Sequence, residues 1–252
     1  MKIATRLLLL FLSWMPVSLA WAALDDDWRF AIARRDFATI EHLIPQVNDV
    51  NLPARDGRTA LMLAASHNRI DLMRKLLGAG ARVNIENQRG GTALMYAAVT
   101  GDPAPMRLLL SHGAAVNATS DTGWGALMIV SAKGYIEIVQ LLIAHGAEVN
   151  VRDIYGWTPL MKAAFEGRFA VVRLLLDQES VDLHAVDENG ATALHHAAAV
   201  GHVKIARLLI AYGADIERKD GAGQTPLMIA AKQGRAEMID LINQSLDKQA
   251  LQ

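Results

Sequence analysis

The sequence predicts an all-α solenoid, a row of stacked helix-turn-helix units joined by short extended connections. Three observations carry this. Versions of one stretch recur: Arg58-Thr-Ala-Leu-Met, Gly91-Thr-Ala-Leu-Met, Trp124-Gly-Ala-Leu-Met, Trp157-Thr-Pro-Leu-Met, Ala191-Thr-Ala-Leu-His and Gln224-Thr-Pro-Leu-Met. The position after the first residue of each falls at Thr59, Thr92, Gly125, Thr158, Thr192 and Thr225, a step of 33 residues with one of 34. A period of that size marks a repeat array. Within each unit the apolar residues recur at spacings of three and four, which places them on helix faces rather than strands. Glycines then punctuate every unit at matching places, where left-handed turns are needed.

The N-terminal segment reads differently. Lys2 and Arg6 precede Leu7-Leu8-Leu9-Leu10-Phe11-Leu12, a break at Pro16, and Ala20-Trp21-Ala22. A basic start, a short apolar core and small residues in an A-x-A pattern predict a secretory signal peptide over 1–22, cut after Ala22. The expected location is therefore periplasmic or secreted, with no membrane contact after cleavage. The rival is an uncleaved anchor making a membrane-tethered adaptor, since the uncharged run from Leu7 to Leu24 reaches the lower limit for a span.

Residues 23–58 then hold a degenerate N-terminal cap, a helix pair and the first hairpin loop. Trp28 and Ala31 match Leu61 and Ala64 one period on, while Leu43 and Ile44 match Leu76 and Leu77. No capping threonine precedes this pair, and Asp26 is the candidate N-cap in its place. End units are atypical because one face meets water.

The central units occupy 59–224. In the first, Thr59 caps a short helix that turns Leu61, Ala64 and Ala65 to one side. Asn68 makes a tight reversal, and a second helix carries Ile70, Met73, Leu76 and Leu77 inward. Gly80, Gly113, Gly146 and Gly213 follow the second helices as C-caps, and Gly90, Gly123 and Gly156 stand in the hairpins. Three departures stand out. Gly125 replaces a capping threonine, Asp102-Pro103 opens one second helix, and Asp177 to Asp182 gains a residue while losing the C-cap glycine. Glycine is itself a tolerable cap, and proline in a first turn removes only donors without helical partners. The C-terminal cap, 225–252, carries Glu237, Asp240, Asn243, Gln244 and Asp247, a polar outer face.

These residues resemble the ankyrin repeat family. The resemblance rests on G-x-T-P-L at Gly156 to Leu160 and Gly223 to Leu227, T-A-L-H-x-A-A at Thr192 to Ala198, Gly201-His202, and G-A-x-V-N at Gly146 to Asn150. It implies an ankyrin array of L-shaped units, each with two antiparallel helices and a β-hairpin loop. It implies binding of another protein and no reaction.

Composition narrows the function further. With Lys2 and Arg6 set aside, 23 basic side chains face 26 acidic ones, so no basic stripe is available for nucleic acid. The chain has no cysteine, which removes disulfides, thiolate metal sites and cysteine nucleophiles. No H-E-x-x-H, phosphate loop or G-x-S-x-G is present, so no catalytic residue, metal ligand or cofactor site is assigned. His112, His145, His195 and His202 have structural readings: the resemblance places the His195 ring on a threonine hydroxyl and nearby backbone, and the adjacent His196 points elsewhere. Met62, Met95, Met128, Met161 and Met228 fill the column where the family carries histidine. Adaptable core filler is the expected role, with a thioether site for a soft metal as the rival. An enzyme would need a site assembled across units.

Function is expected at positions that the repeat leaves free. Trp124 and Trp157 occupy equivalent places in consecutive units, and Ile154, Tyr155 and Phe165 add apolar bulk around them. Tryptophan, tyrosine and arginine are enriched in interface hot spots. The candidate partner-binding set is Trp124, Lys133, Arg152, Ile154, Tyr155, Trp157, Phe165 and Glu166, on the concave face and hairpin tips. The expected protein is a monomer that binds another protein as an inhibitor, an immunity protein or an accessory factor.

Overall fold

The computed structural model describes residues 17–250, of whose side chains those of 22–248 are placed. The basic start and leucine run of the expected signal peptide lie outside the described residues. Among the described residues fourteen helices follow one another in pairs: α1 (Val17–Arg34) and α2 (Phe37–Leu43), α3 (Ala60–Ser66) and α4 (Ile70–Gly78), α5 (Ala93–Ala98) and α6 (Pro103–Ser111), α7 (Ala126–Lys133) and α8 (Ile136–Ala144). The second half holds α9 (Pro159–Phe165) and α10 (Phe169–Leu176), α11 (Ala193–Val200) and α12 (Val203–Ala211), α13 (Pro226–Lys232) and α14 (Ala236–Ala250).

The repeat script dictates the layers. The inner helices α3, α5, α7, α9, α11 and α13 pack in a row, and the outer helices pack in a second row behind them. Fully buried alanines, Ala64, Ala97, Ala163 and Ala197 among them, let inner helices approach closely, while Leu76, Leu109, Leu142, Leu175 and Leu209 fill the layer between the rows. The buried side chains form one continuous core from Trp28 to Ile242, the arrangement in which each unit depends on its neighbours.

Local chemistry shapes each turn. The Thr59, Thr158 and Thr225 hydroxyls accept the N–H of the methionine three residues on. Asp102 Oδ1 caps α6 by accepting the Ala104 N–H at 2.8 Å, with Pro103 opening the helix. Asn68 reverses the chain at φ 53°, as its place between two helices requires. Glu237, Asp240, Asn243, Gln244 and Asp247 are exposed on the terminal helix.

The structure corrects the cap at Asp26. Helix α1 covers Val17–Arg34, so Asp26 lies inside it, because the described residues before it are helical instead of turning. The cap that exists is one helix later, where Asp36 Oδ1 accepts the Thr39 N–H at the start of α2. The boundary drawn at residue 22 also falls within α1. Trp28 does fill the expected core place, fully buried, with its Nε1–H donating to Leu52 O at 3.0 Å.

The hairpins are tight turns. Each is closed by a pair of backbone hydrogen bonds at its tip, such as Asp153 N to Trp157 O and Gly156 N to Asp153 O. Among the described residues only Thr119 and Gly125 form a β-bridge. Three residues between the outer bonded groups leave room for a turn and none for a ladder.

Successive tips are bonded to one another. Asp121 N donates to Arg89 O, Ile154 N to Thr122 O, Glu188 N to Tyr155 O and Gly221 N to Asn189 O. This explains the hairpin glycines more fully than turn geometry does. At Gly123 φ is 76°, and an added Cβ would stand 2.7 Å from Asp153 Cα in the next unit. The asparagines of the V-N motif make a second tie. Asn117 Nδ2 donates to Gly146 O at 3.1 Å while its Oδ1 accepts the Glu148 N–H at 2.9 Å, and Asn51, Asn84 and Asn150 do the same at their own places.

Candidate functional site

The concave face is built from two elements per unit, the hairpin tip and the exposed side of the inner helix. One side-chain pair links them. The tip residue accepts two backbone N–H groups through a single oxygen: Asp153 Oδ1 takes those of Tyr155 and Trp157, and Asp187 Oδ1 those of Asn189 and Ala191. Its other side-chain atom faces a residue nine positions on, in the inner helix. In the second unit Asn87 Nδ2 donates to the Tyr96 hydroxyl at 2.8 Å. In the fourth, Asp153 Oδ2 lies 3.0 Å from Lys162 Nζ, and in the fifth Asp187 Oδ2 lies 3.0 Å from His196 Nε2.

The fourth unit is the most elaborate. The Asp153 carboxylate is fully buried and the Lys162 side chain keeps 15% of its exposure. Asp153 Oδ2 has no aligned hydrogen bond, so the ammonium compensates it as a close charge. That ammonium also stands over two indoles, 4.9 Å from the Trp124 ring centre and 4.1 Å from that of Trp157, within cation–π range. The other surroundings of the Trp157 ring are aromatic: the His196 ring stacks on it at 3.9 Å and the Phe165 ring meets it edge-on at 5.5 Å. Trp124, Lys162, Trp157, His196 and Phe165 thus form one continuous band across three units.

Of the eight sequence-chosen residues, the structure brings Trp124, Trp157 and Phe165 together in this band. Ile154 and Tyr155 stand beside it on the tip, 50% and 60% exposed. Arg152 is a strap: its Nη2 donates to Val186 O in the next unit, and it is exposed otherwise. Lys133 and Glu166 are exposed at the C-terminal ends of α7 and α9. Sequence reasoning missed Lys162 and His196. The signal was available in register, since Leu63, Tyr96, Ile129, Lys162, His196 and Ile229 form one column four positions after the capping site, and only there does the column carry charge or imidazole.

The remaining histidines and the methionines serve the scaffold. His195 Nδ1 accepts the Thr192 N–H at 3.1 Å and contacts its hydroxyl at 2.8 Å, which leaves Nε2–H to reach Gln224 O at 3.2 Å. Burial holds the His195 pKa below the ordinary imidazole value, so the ring is neutral. Burial also depresses His196, outweighing the Asp187 carboxylate that pulls the other way. His202 reaches back to Phe165 O, and His112 and His145 bond their own helix carbonyls. Met62 Sδ accepts the Thr59 N–H at 3.5 Å, the bond that His195 makes in its own unit. Met95, Met128 and Met161 are buried like Met62, while Met228 in the last unit is exposed. Among the described residues no group of three or more His, Asp or Glu is placed to hold a metal ion. No described helix is long and apolar enough to cross a membrane.

An open groove interrupts the concave face. It lies between the second and third units, has a volume of about 530 Å³, and is lined by Gly91, Met95, Tyr96, Val99 and Ile129 together with the charged Arg89 and Asp121.

Comparison with known proteins agrees with the stacking. Human protein phosphatase 1 regulatory subunit 27 is 39% identical over 71 residues, 28% of this chain and 46% of that protein. Human ankyrin repeat domain-containing protein 13B is 38% identical over 69 residues, 27% of this chain and 11% of the relative. Potassium channel AKT1 of rice (Oryza sativa subsp. indica) is 42% identical over 57 residues, 23% of this chain and 6% of the channel. The chain thus spans less than half the length of each of these relatives, and the likeness is one of repeats. The family model for ankyrin repeats (three copies) matches residues 29–120, 106–187 and 179–250, and with the paired helices and bonded tips already described, the chain belongs to the ankyrin repeat family.

Proposed function

We propose that this protein works without catalysis, outside the cytoplasm, by holding another protein against its concave face and hairpin tips. The observation that carries the reading is the aromatic band of the third to fifth units. Ile154, Tyr155 and Phe165 keep 50%, 60% and 40% of their exposure beside Trp124 and Trp157, although the repeat requires none of them. Exposed aromatic and aliphatic side chains clustered on a rigid surface are the usual centre of an interface, with polar groups as its rim. Lys133, Arg152 and Glu166 stand where that rim would be.

Ankyrin repeats generally mediate protein–protein interaction, and the relative named as a regulatory subunit supports a role exercised on a partner. Within that class the protein acts as an inhibitor or immunity protein, or as an accessory factor. Gene neighbourhood separates these, since an immunity protein lies beside its toxin. The bonded tips favour binding as a preformed surface, with little ordering cost on this side, and a single chain suffices for it. Export rests on the basic, apolar and A-x-A pattern of the first 22 residues. Mass spectrometry should find a mature chain beginning at Ala23; a retained N-terminus would favour the membrane-tethered adaptor instead.

The site is tested by affinity capture from native extract. Trp124→Ala combined with Trp157→Ala should lower recovery of the captured protein at least ten-fold while the far-ultraviolet spectrum stays helical. Equal recovery by the folded double variant would remove the aromatic band from the interface.

A further inference from the structure

The groove between the second and third units is a missing rung of the tryptophan ladder. The residue just before each capping position runs Arg58, Gly91, Trp124, Trp157, Ala191, Gln224 along the array. Where the fourth unit has Trp157, the second has Gly91, with no side chain at all.

The neighbours of the Trp157 ring are Lys162 in its own inner helix, Phe165 further along that helix, and His196 in the next unit. Carried back two units by register, these positions are Tyr96, Val99 and Ile129. All three line the groove beside Gly91. The backbone frame is the same in both places: Gly91 N donates to Asn87 Oδ1 at 2.8 Å, as Trp157 N donates to Asp153 Oδ1 at 2.9 Å. The hollow therefore has the floor and walls of an indole site with the indole absent.

Its chemistry differs from the filled site in one respect. The fourth unit sets a buried carboxylate against Lys162, whereas here the tip residue is Asn87, already bonded to the Tyr96 hydroxyl. Arg89 and Asp121 in the lining are of opposite sign and leave the groove without net charge, and Met95 contributes a thioether of the kind that packs well on aromatic edges. A cation entering would meet Arg89 as well as Asp121, so it would lose hydration without a net compensating charge. A neutral ring would gain apolar contact with Val99 and Ile129, and about 530 Å³ lies within the ordinary range of ligand pockets, roughly 300–1,000 Å³.

We propose that the groove receives a tryptophan side chain of the partner protein, which completes the ladder ahead of Trp124. This rests on the concave-face reading and names the anchor that the partner must supply.

The test uses the full chain with N-acetyl-tryptophanamide as the probe, read from the methyl resonances of Met95, Val99 and Ile129. Those signals should shift saturably with the probe and stay still with N-acetyl-argininamide. Gly91→Trp should fill the site from within and weaken the probe at least ten-fold. Val99→Gln, at a position 51% exposed and so safe for folding, should also weaken it several-fold. Trp124→Ala combined with Trp157→Ala should leave probe binding in place, because neither residue lines the groove. Failure of the capture experiment with these shifts intact would thus fault the aromatic band and spare the groove. Absent shifts at the three methyls, or equal shifts in both groove variants, would overturn the proposal. So would self-association of the wild-type chain that Gly91→Trp abolishes, since the occupant would then be a second copy.

Discussion

The second and fourth units of the array share one backbone frame and differ in what fills it. In the fourth, Asp153, Lys162, Trp157, Phe165 and the neighbouring His196 make a closed stack of charge and ring. In the second, Asn87 and Tyr96 make the same tip-to-helix link without charge, and Gly91 leaves the surface open. The comparison teaches that the tip-to-helix pair is a scaffold device first. Its ionic version in the fourth unit supports two indoles, and its neutral version in the second leaves an apolar floor.

The sharpest way to break this comparison is to remove the charge from one member. Lys162→Met leaves the buried Asp153 carboxylate uncompensated and should cost about 4 kcal/mol of stability, read by urea unfolding. Asp153→Asn with Lys162→Tyr copies the second unit and should recover most of that loss. A double variant as unstable as Lys162→Met would mean that the two links are not equivalent.

The frame that both units share is tested at Gly123. Gly123→Ala forces a Cβ against Asp153 Cα at positive φ and should cost about 3 kcal/mol. A loss under about 1 kcal/mol would show that the tips can separate without penalty to the stack.

The mildest effect is expected from pH. His195 and His196 both titrate below 6.5 in the folded chain, with burial the first cause. The unfolded chain takes up these protons first. The stability due to the neutral rings is therefore complete above pH 6.5 and is lost as pH falls through the lower folded values. The urea midpoint should drop between pH 7.5 and 5.5. His195→Met, which restores the residue that column carries in other units, should flatten the slope. An unchanged slope would place the titration elsewhere.

Much of the fold was legible because a repeat states its own rule several times. Thr59, Thr158 and Thr225 cap, Asn68 reverses the chain, and the glycines after the second helices take left-handed angles, all as expected from position alone. The errors fall where the rule is silent. Asp26 stands in a unit without the motif, and helix α1 continues on both sides of it. Arg152 carries a bond that no spacing within one unit announces, because its acceptor, Val186 O, lies 34 residues away.

The site was half legible. Trp124, Trp157 and Phe165 stood out as bulk that the repeat did not need. Lys162 and His196 did not, because each is an ordinary residue until its partners from other units surround it.

By itself the sequence determined the array, its period, its caps and the identity of its exceptional residues, because those depend on spacings within one unit. The tertiary structure alone decided that a lysine sits between two indoles, that asparagines and tip amides tie neighbours together, and that a glycine opens a ring-sized hollow. Those facts depend on which side chains of different units meet across the stack, and that is set by how closely the inner helices and tips approach.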